Sequence, residues 1–200
     1  MNLRIGVLGS TNGTSLLPII NAIETKQLQA NIAVIISDKQ DSGILDKAIK
    51  HEITSKYVNP IQENGKRKIR QDFDNEVTNI LEENNVELVL MIGYMRIVSK
   101  QFTDTWRNKC LNVHPSLLPE FAKGMDMDVH SAVLQSGKSV TGCTVHYVTE
   151  EVDGGPILCQ EKCNVSKDDT TESLKKRVQE LEGKALIFSI NTHINMKLKE

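Results

Sequence analysis

No apolar run in this sequence is long enough to span a bilayer, and its amino terminus has no signal-peptide layout. Met1-Asn2-Leu3-Arg4-Ile5-Gly6 runs straight into a strand pattern. A soluble, cytoplasmic protein is expected. Excess charge of one sign is missing as well: 24 Lys and Arg stand against 26 Asp and Glu, a formal −2 at pH 7. That excludes a nucleic-acid binder working by broad phosphate neutralisation and leaves room only for a local patch. Cysteine is scarce. Cys110, Cys143, Cys159 and Cys163 show no C-x-x-C spacing and no His or Cys partners at ligand spacing. Reduced packing residues are expected, and no metal.

Two nucleotide signatures are absent too. The loop Gly9-Ser10-Thr11-Asn12-Gly13-Thr14-Ser15 has neither the Lys of a Walker A loop nor G-x-G-x-x-G spacing. It does sit between an apolar strand (Leu3, Ile5, Val7) and a helical pattern (Leu16, Ile19, Ile20, Ile23). Free backbone N–H groups at such a helix start converge on an anion. A phosphomonoester suits this loop better than ATP or NAD. A plain turn with Thr14 or Ser15 as N-cap is the alternative.

What is present is a repeated strand and helix order. Asn31 to Ile36 is a nearly continuous apolar run, as in a strand covered on both faces, and Asp41 to Lys50 reads as a short helix. Tyr57-Val58 gives a third strand, Lys66 to Asn85 a helix with Ile69, Phe73, Val77, Ile80 and Leu81 in phase, and Leu88 to Ile92 another buried strand. The order implies an α/β, Rossmann-like, doubly wound and mostly parallel sheet. Val140 to Val148 and Ile157 to Cys163 flank an acidic loop, as an antiparallel addition near the C-terminus. Asp169-Thr170-Thr171-Glu172 reads as a capping box that opens a long helix, one face of which is traced by Leu174, Val178, Leu181, Ala185 and Phe188. Residues 1–200 fit a single domain with one core.

The chemistry concentrates in Leu111-Asn112-Val113-His114-Pro115-Ser116-Leu117-Leu118-Pro119. Strand alternation puts Asn112 and His114 on one face, and Pro115 stops the strand there, at the carboxyl end where open α/β sheets bind ligands. Asp153, in Glu150-Glu151-Val152-Asp153-Gly154-Gly155-Pro156, adds a carboxylate on a tight loop. Amide, imidazole and carboxylate together are what acyl-type transfer needs. Taken singly, His114 reads as a structural histidine and Asp153 as a turn former. Ser116 has no G-x-S-x-G elbow around it, and the acidic cluster lacks the ligand positions of a calcium loop. Gly93 to Val98 leaves a strand end with apolar residues around Arg96, suiting a flat ring or serving as an ordinary loop. Gln179 and Glu182 share a helix face, read from residue type as solvated surface. His130 reads as a helix residue near the cleft. His146 reads as a support for the Asp153 loop or as a structural residue.

The run Asn112 to Pro119, followed by Asp153-Gly154-Gly155-Pro156, resembles the folate-dependent formyltransferases, and the similarity can be followed through nearly the whole chain. The resemblance implies a single catalytic domain that moves the formyl group of 10-formyltetrahydrofolate to the amine of glycinamide ribonucleotide in purine (IMP) biosynthesis. It implies no metal and no covalent enzyme intermediate. Asn112, His114 and Asp153 match catalytic positions. Gly13, Thr14 and Ser15 match the grip on the ribose phosphate, although members often carry Asn where Ser15 stands. Arg70 and Met95, Arg96, Ile97 and Val98 match folate contacts, with Asn112 also near the folate. Gln179 and Glu182 match positions holding the glycinamide. Glu120 to Asp128 departs from the family pattern, so Lys123, Asp126 and Asp128 take no role. The family's tRNA-formylating branch carries a further carboxyl-terminal domain, and this chain stops short of one, so small molecules and no nucleic acid or membrane are the expected partners. A hydrolase of formyl-folate and a non-catalytic ribose-phosphate sensor are the alternatives. Oligomeric state is open, a homodimer included.

Overall fold

The computed structural model describes residues 2–124 and 127–198; Asp126 lies outside the described residues. In chain order the elements are β1 (Leu3–Leu8), α1 (Leu16–Glu24), β2 (Ala30–Ser37), α2 (Gly43–Lys50), β3 (Ser55–Tyr57), α3 (Arg70–Glu83), β4 (Leu88–Met91), α4 (Lys100–Thr105), β5 (Cys110–His114), α5 (Met127–Gln135), β6 (Val140–Tyr147), β7 (Ile157–Asn164) and α6 (Thr171–Lys197). The strands are ordered β3-β2-β1-β4-β5-β6-β7. β1 pairs in parallel with β2 and β4, β2 in parallel with β3, and β6 antiparallel with β7. This is the expected α/β sheet with its antiparallel addition. No helix among the described residues is long and apolar enough to cross a membrane.

The chain divides into two compact units, Met1–Thr14 with Gln29–Leu111 and Ser15–Leu28 with Asn112–Glu200. The first is built on strands that read as apolar runs because both their faces are covered. Ile5, Val7, Val34, Ile35, Leu88, Val89 and Leu90 are wholly buried, and Phe73 and Leu81 of α3 pack with them in the core. Strand order reverses between β1 and β4, so the loops after these two strands flank the switch point, where such sheets bind ligands. In the second unit α6 contributes Leu174, Val178, Ala185, Leu186 and Ile190 to the core, and α1 contributes Leu16 and Ile19. Gly183 lets these helices approach closely: a Cβ there would lie 2.6 Å from the Pro18 ring.

Four of the differences from the sequence expectation have a local physical cause. Helix α3 starts at Arg70 and not at Lys66, because Ile61 and Arg67 form an antiparallel bridge around a turn at Gly65 (φ 79°), committing that backbone elsewhere. Helix α4 has only six residues, too few to show a period, and is fixed by the Ser99 hydroxyl accepting from the Phe102 N–H. Phe188 is 57% exposed, since the buried face of α6 runs through Glu182, Ser189 and His193 as well as apolar residues. The capping box of α6 closes between Thr170 and Ser173, with Glu172 left out of it.

Candidate active site

Strand β5 delivers Asn112 and His114 on the same side, as its alternation requires. Two further side chains, Asp153 and His146, meet them. Asp153 reaches His114 with Oδ2 at 3.4 Å from Nδ1, and His146 with Oδ1 at 3.6 Å from Nε2. The Asn112 amide nitrogen lies 3.2 Å from the same His146 Nε2. Both imidazoles are buried. Asp153 is held on its loop in the left-handed region (φ 57°), an uncommon conformation for a residue with a side chain. The structure thus places Asn112, His114 and Asp153 together and adds His146, on β6, at their centre.

The loop after Pro119 also takes part, through its backbone. His114 Nε2 lies 3.0 Å from the carbonyl of Phe121, and the N–H of Lys123 donates to Asp153 Oδ2 at 2.8 Å. A carbonyl only accepts, so His114 carries its proton on Nε2 and a neutral ring turns its Nδ1 lone pair toward Asp153. Proton uptake at Nδ1 would convert that contact into an ion pair. Burial holds His114 below its ordinary value, against the opposing pull of Asp153 and the Phe121 carbonyl. Burial pulls Asp153 upward, but His146 and His114, whenever their rings carry a proton toward it, and the Lys123 N–H outweigh it and leave the carboxyl below its ordinary range. Phe121 and Lys123 both have positive φ, 56° and 65°. Sequence reading missed them because backbone groups carry no residue-type signal.

In the first unit, the loops that leave β1 and β4 are tied together. The Ser10 N–H donates to the Gly93 carbonyl at 3.0 Å, and the Met95 N–H donates to the Ser10 hydroxyl at 2.9 Å. Gly13 (φ 59°) packs on Ile44, where a Cβ would come within 2.5 Å. Arg96 stacks its guanidinium 3.7 Å above the Phe73 ring and lies 3.9 Å from Asp38. Its Nε and Nη1 find no hydrogen-bond partner among the described residues. Met95 and Val98 are half-buried, whereas Ile97 is 47% exposed. Arg70 opens α3 on the exposed side, near enough to Asp74 to act on its carboxyl. Burial raises Asp74 above its ordinary value, while the Ser99 N–H it accepts and Arg96 pull the other way.

Ser15 caps α1 but makes no side-chain cap; its hydroxyl donates instead to Glu182 Oε2 of α6. Glu182 is buried at 9% exposure, so the solvated-surface reading of this residue is wrong, while Gln179 one turn earlier is half-buried. Cys110 and Cys143 are free and buried, and burial pushes both thiols up, as suits packing residues.

The formyl transferase family model matches residues 3–190. The chain belongs to the formyl transferase family. Within that family it is 33% identical to phosphoribosylglycinamide formyltransferase of Haemophilus influenzae, over 98% of this chain and 91% of that protein. It is 42% identical to the chicken trifunctional purine biosynthetic protein adenosine-3 over 91% of this chain, and spans 17% of that longer relative. The solved structure of glycinamide ribonucleotide transformylase 1 from Symbiobacterium toebii superposes with a TM-score of 0.87 at 34% identity, covering 94% of this chain and 86% of that one.

Proposed function

We propose that this chain is a phosphoribosylglycinamide formyltransferase, its residues 1–200 working as one catalytic domain. The reaction moves the formyl group of 10-formyltetrahydrofolate to the primary amine of glycinamide ribonucleotide. The observation that carries the reading is the convergence of Asn112, His114 and Asp153 in a formyl transferase chain similar over nearly its full length to a relative of that name.

The amine nitrogen attacks the formyl carbon, and charge gathers on the formyl oxygen. Donors aimed at that oxygen are worth most in the transition state. Asn112 supplies an amide N–H and His114 its Nε2–H, which in the resting fold serves the Phe121 carbonyl. The formyl oxygen would take that carbonyl's place. Asp153 stabilises positive charge on His114 as the proton from the attacking nitrogen passes to the leaving folate nitrogen, whose bond to the formyl carbon breaks. Gly13, Thr14 and Ser15 would grip the substrate phosphate, Gln179 and Glu182 the glycinamide, and Arg70 with Met95 to Val98 the folate. No metal is required.

Variants Asn112→Ala and His114→Ala should each lower turnover roughly a hundredfold or more, the worth of an oxyanion donor, with ribose-phosphate binding retained. Because His114 and Asp153 act as a unit, adding Asp153→Asn to His114→Ala should cost less than the product of the single losses. Turnover near that of the parent in a folded His114→Ala protein would remove the imidazole from the mechanism.

A further inference from the structure

His146 has no part in the scheme above, yet it is 2% exposed and touches both Asn112 and Asp153. Its proton can be placed by chemistry alone. Nδ1 lies 2.9 Å from the Tyr147 carbonyl, an oxygen that only accepts, so Nδ1 carries the hydrogen. In the neutral ring Nε2 is then an acceptor, and the atom facing it at 3.2 Å is the Asn112 amide nitrogen, a donor. One amide N–H of Asn112 is thereby spent on His146, and the other is left for a different acceptor. A flipped amide would set its oxygen against the Nε2 lone pair, so this contact also fixes which way the amide faces.

We propose that His146 is a positioning residue: held as the Nδ1–H tautomer by the Tyr147 carbonyl, it locks the Asn112 amide with its second N–H available to the formyl oxygen. Its approach to Asp153 sharpens the requirement. A proton on Nε2 would turn the ring toward Asp153 as a donor and deprive Asn112 of its acceptor, so the working state keeps Nε2 bare. The groups facing the ring are Asn112 on β5, Asp153 on its loop, the Tyr147 carbonyl on β6 and, across Asp153, His114.

This inference rests on the proposed role of Asn112 and can be separated from it. Gln and Asn mimic opposite sides of the ring: His146→Gln can place its oxygen where Nε2 lies, whereas His146→Asn reaches the Tyr147 carbonyl but not Asn112. Turnover should fall about tenfold in His146→Asn, the worth of one hydrogen bond, with Michaelis constants for both substrates little changed. His146→Gln should recover most of the loss, and in an Asn112→Ala background the Gln and Asn variants should turn over equally. Equal kcat in His146→Asn and the parent, or the same Gln-to-Asn difference with Asn112 gone, would overturn the assignment. Independently of any turnover, the imidazole 15N shifts of the intact protein should report the Nδ1–H tautomer for the neutral His146 ring. An Nε2–H signal would equally overturn it.

Discussion

At the residue scale, the central contact is the one between His114 and Asp153. His114 is held below its ordinary value by burial while Asp153 pulls it up, so removing the carboxylate charge should push it down further. The His114 imidazole should therefore titrate at lower pH in Asp153→Asn than in the parent by NMR; an unchanged or higher midpoint would show that Asp153 does not act on the ring's charge. Asn112, His114 and Asp153 were legible in the sequence because a strand fixes alternation and a glycine-proline loop advertises a turn. His146 was legible only as a candidate. The number of its partners depends on where two other elements bring Asn112 and Asp153, which no local pattern states. The Phe121 carbonyl and Lys123 N–H could not be read at all, since every residue carries those groups.

At the element scale, α6 joins a stable start to a polar buried face. Thr170 and Ser173 satisfy each other's backbone N–H groups, and Asp169 pairs with Arg177 at 2.7 Å. Thr170→Ala should cost about 1 kcal/mol by denaturant unfolding; no change would mean that the box is redundant. Further along, Glu182 receives the Ser15 hydroxyl. Glu182→Ala should raise the Michaelis constant for glycinamide ribonucleotide about tenfold, the cost of one lost charge-assisted hydrogen bond, and leave that for the folate nearly unchanged. A defect confined to the folate would move Glu182 out of the acceptor site. Nothing local marks this burial, because a polar residue beside the apolar stripe of a helix ordinarily faces water. Phe188 lies on the apolar stripe yet faces outward for the complementary reason: Glu182, Ser189 and His193 occupy core positions that an apolar count leaves empty.

At the scale of the whole molecule, the succession of strands and helices and the antiparallel pair followed from the sequence because apolar runs and alternation repeat along it, whereas the hairpin before α3 and the six-residue α4 fall below any period. The site also leaves a mark on global stability. A His whose folded value lies below its ordinary 6.5 binds fewer protons folded than unfolded, so stability is present above that value and is lost as pH falls below it. Asp153, lowered from 3.8, adds a loss of the same sign at more acid pH, whereas Asp74, raised by burial, works in the opposite sense just above 3.8. Unfolding free energy should therefore drop as pH falls through about 6.5, and His114→Asn should flatten that drop. An identical slope in the variant would place the acid sensitivity elsewhere.

Formyl transfer to a small amine is decided by incubating the purified protein with 10-formyltetrahydrofolate and glycinamide ribonucleotide and counting products. One formylated ribonucleotide should form for each tetrahydrofolate released, with no free formate when the amine is left out. Formate release without the amine, or ribose-phosphate binding with no turnover, would contradict it.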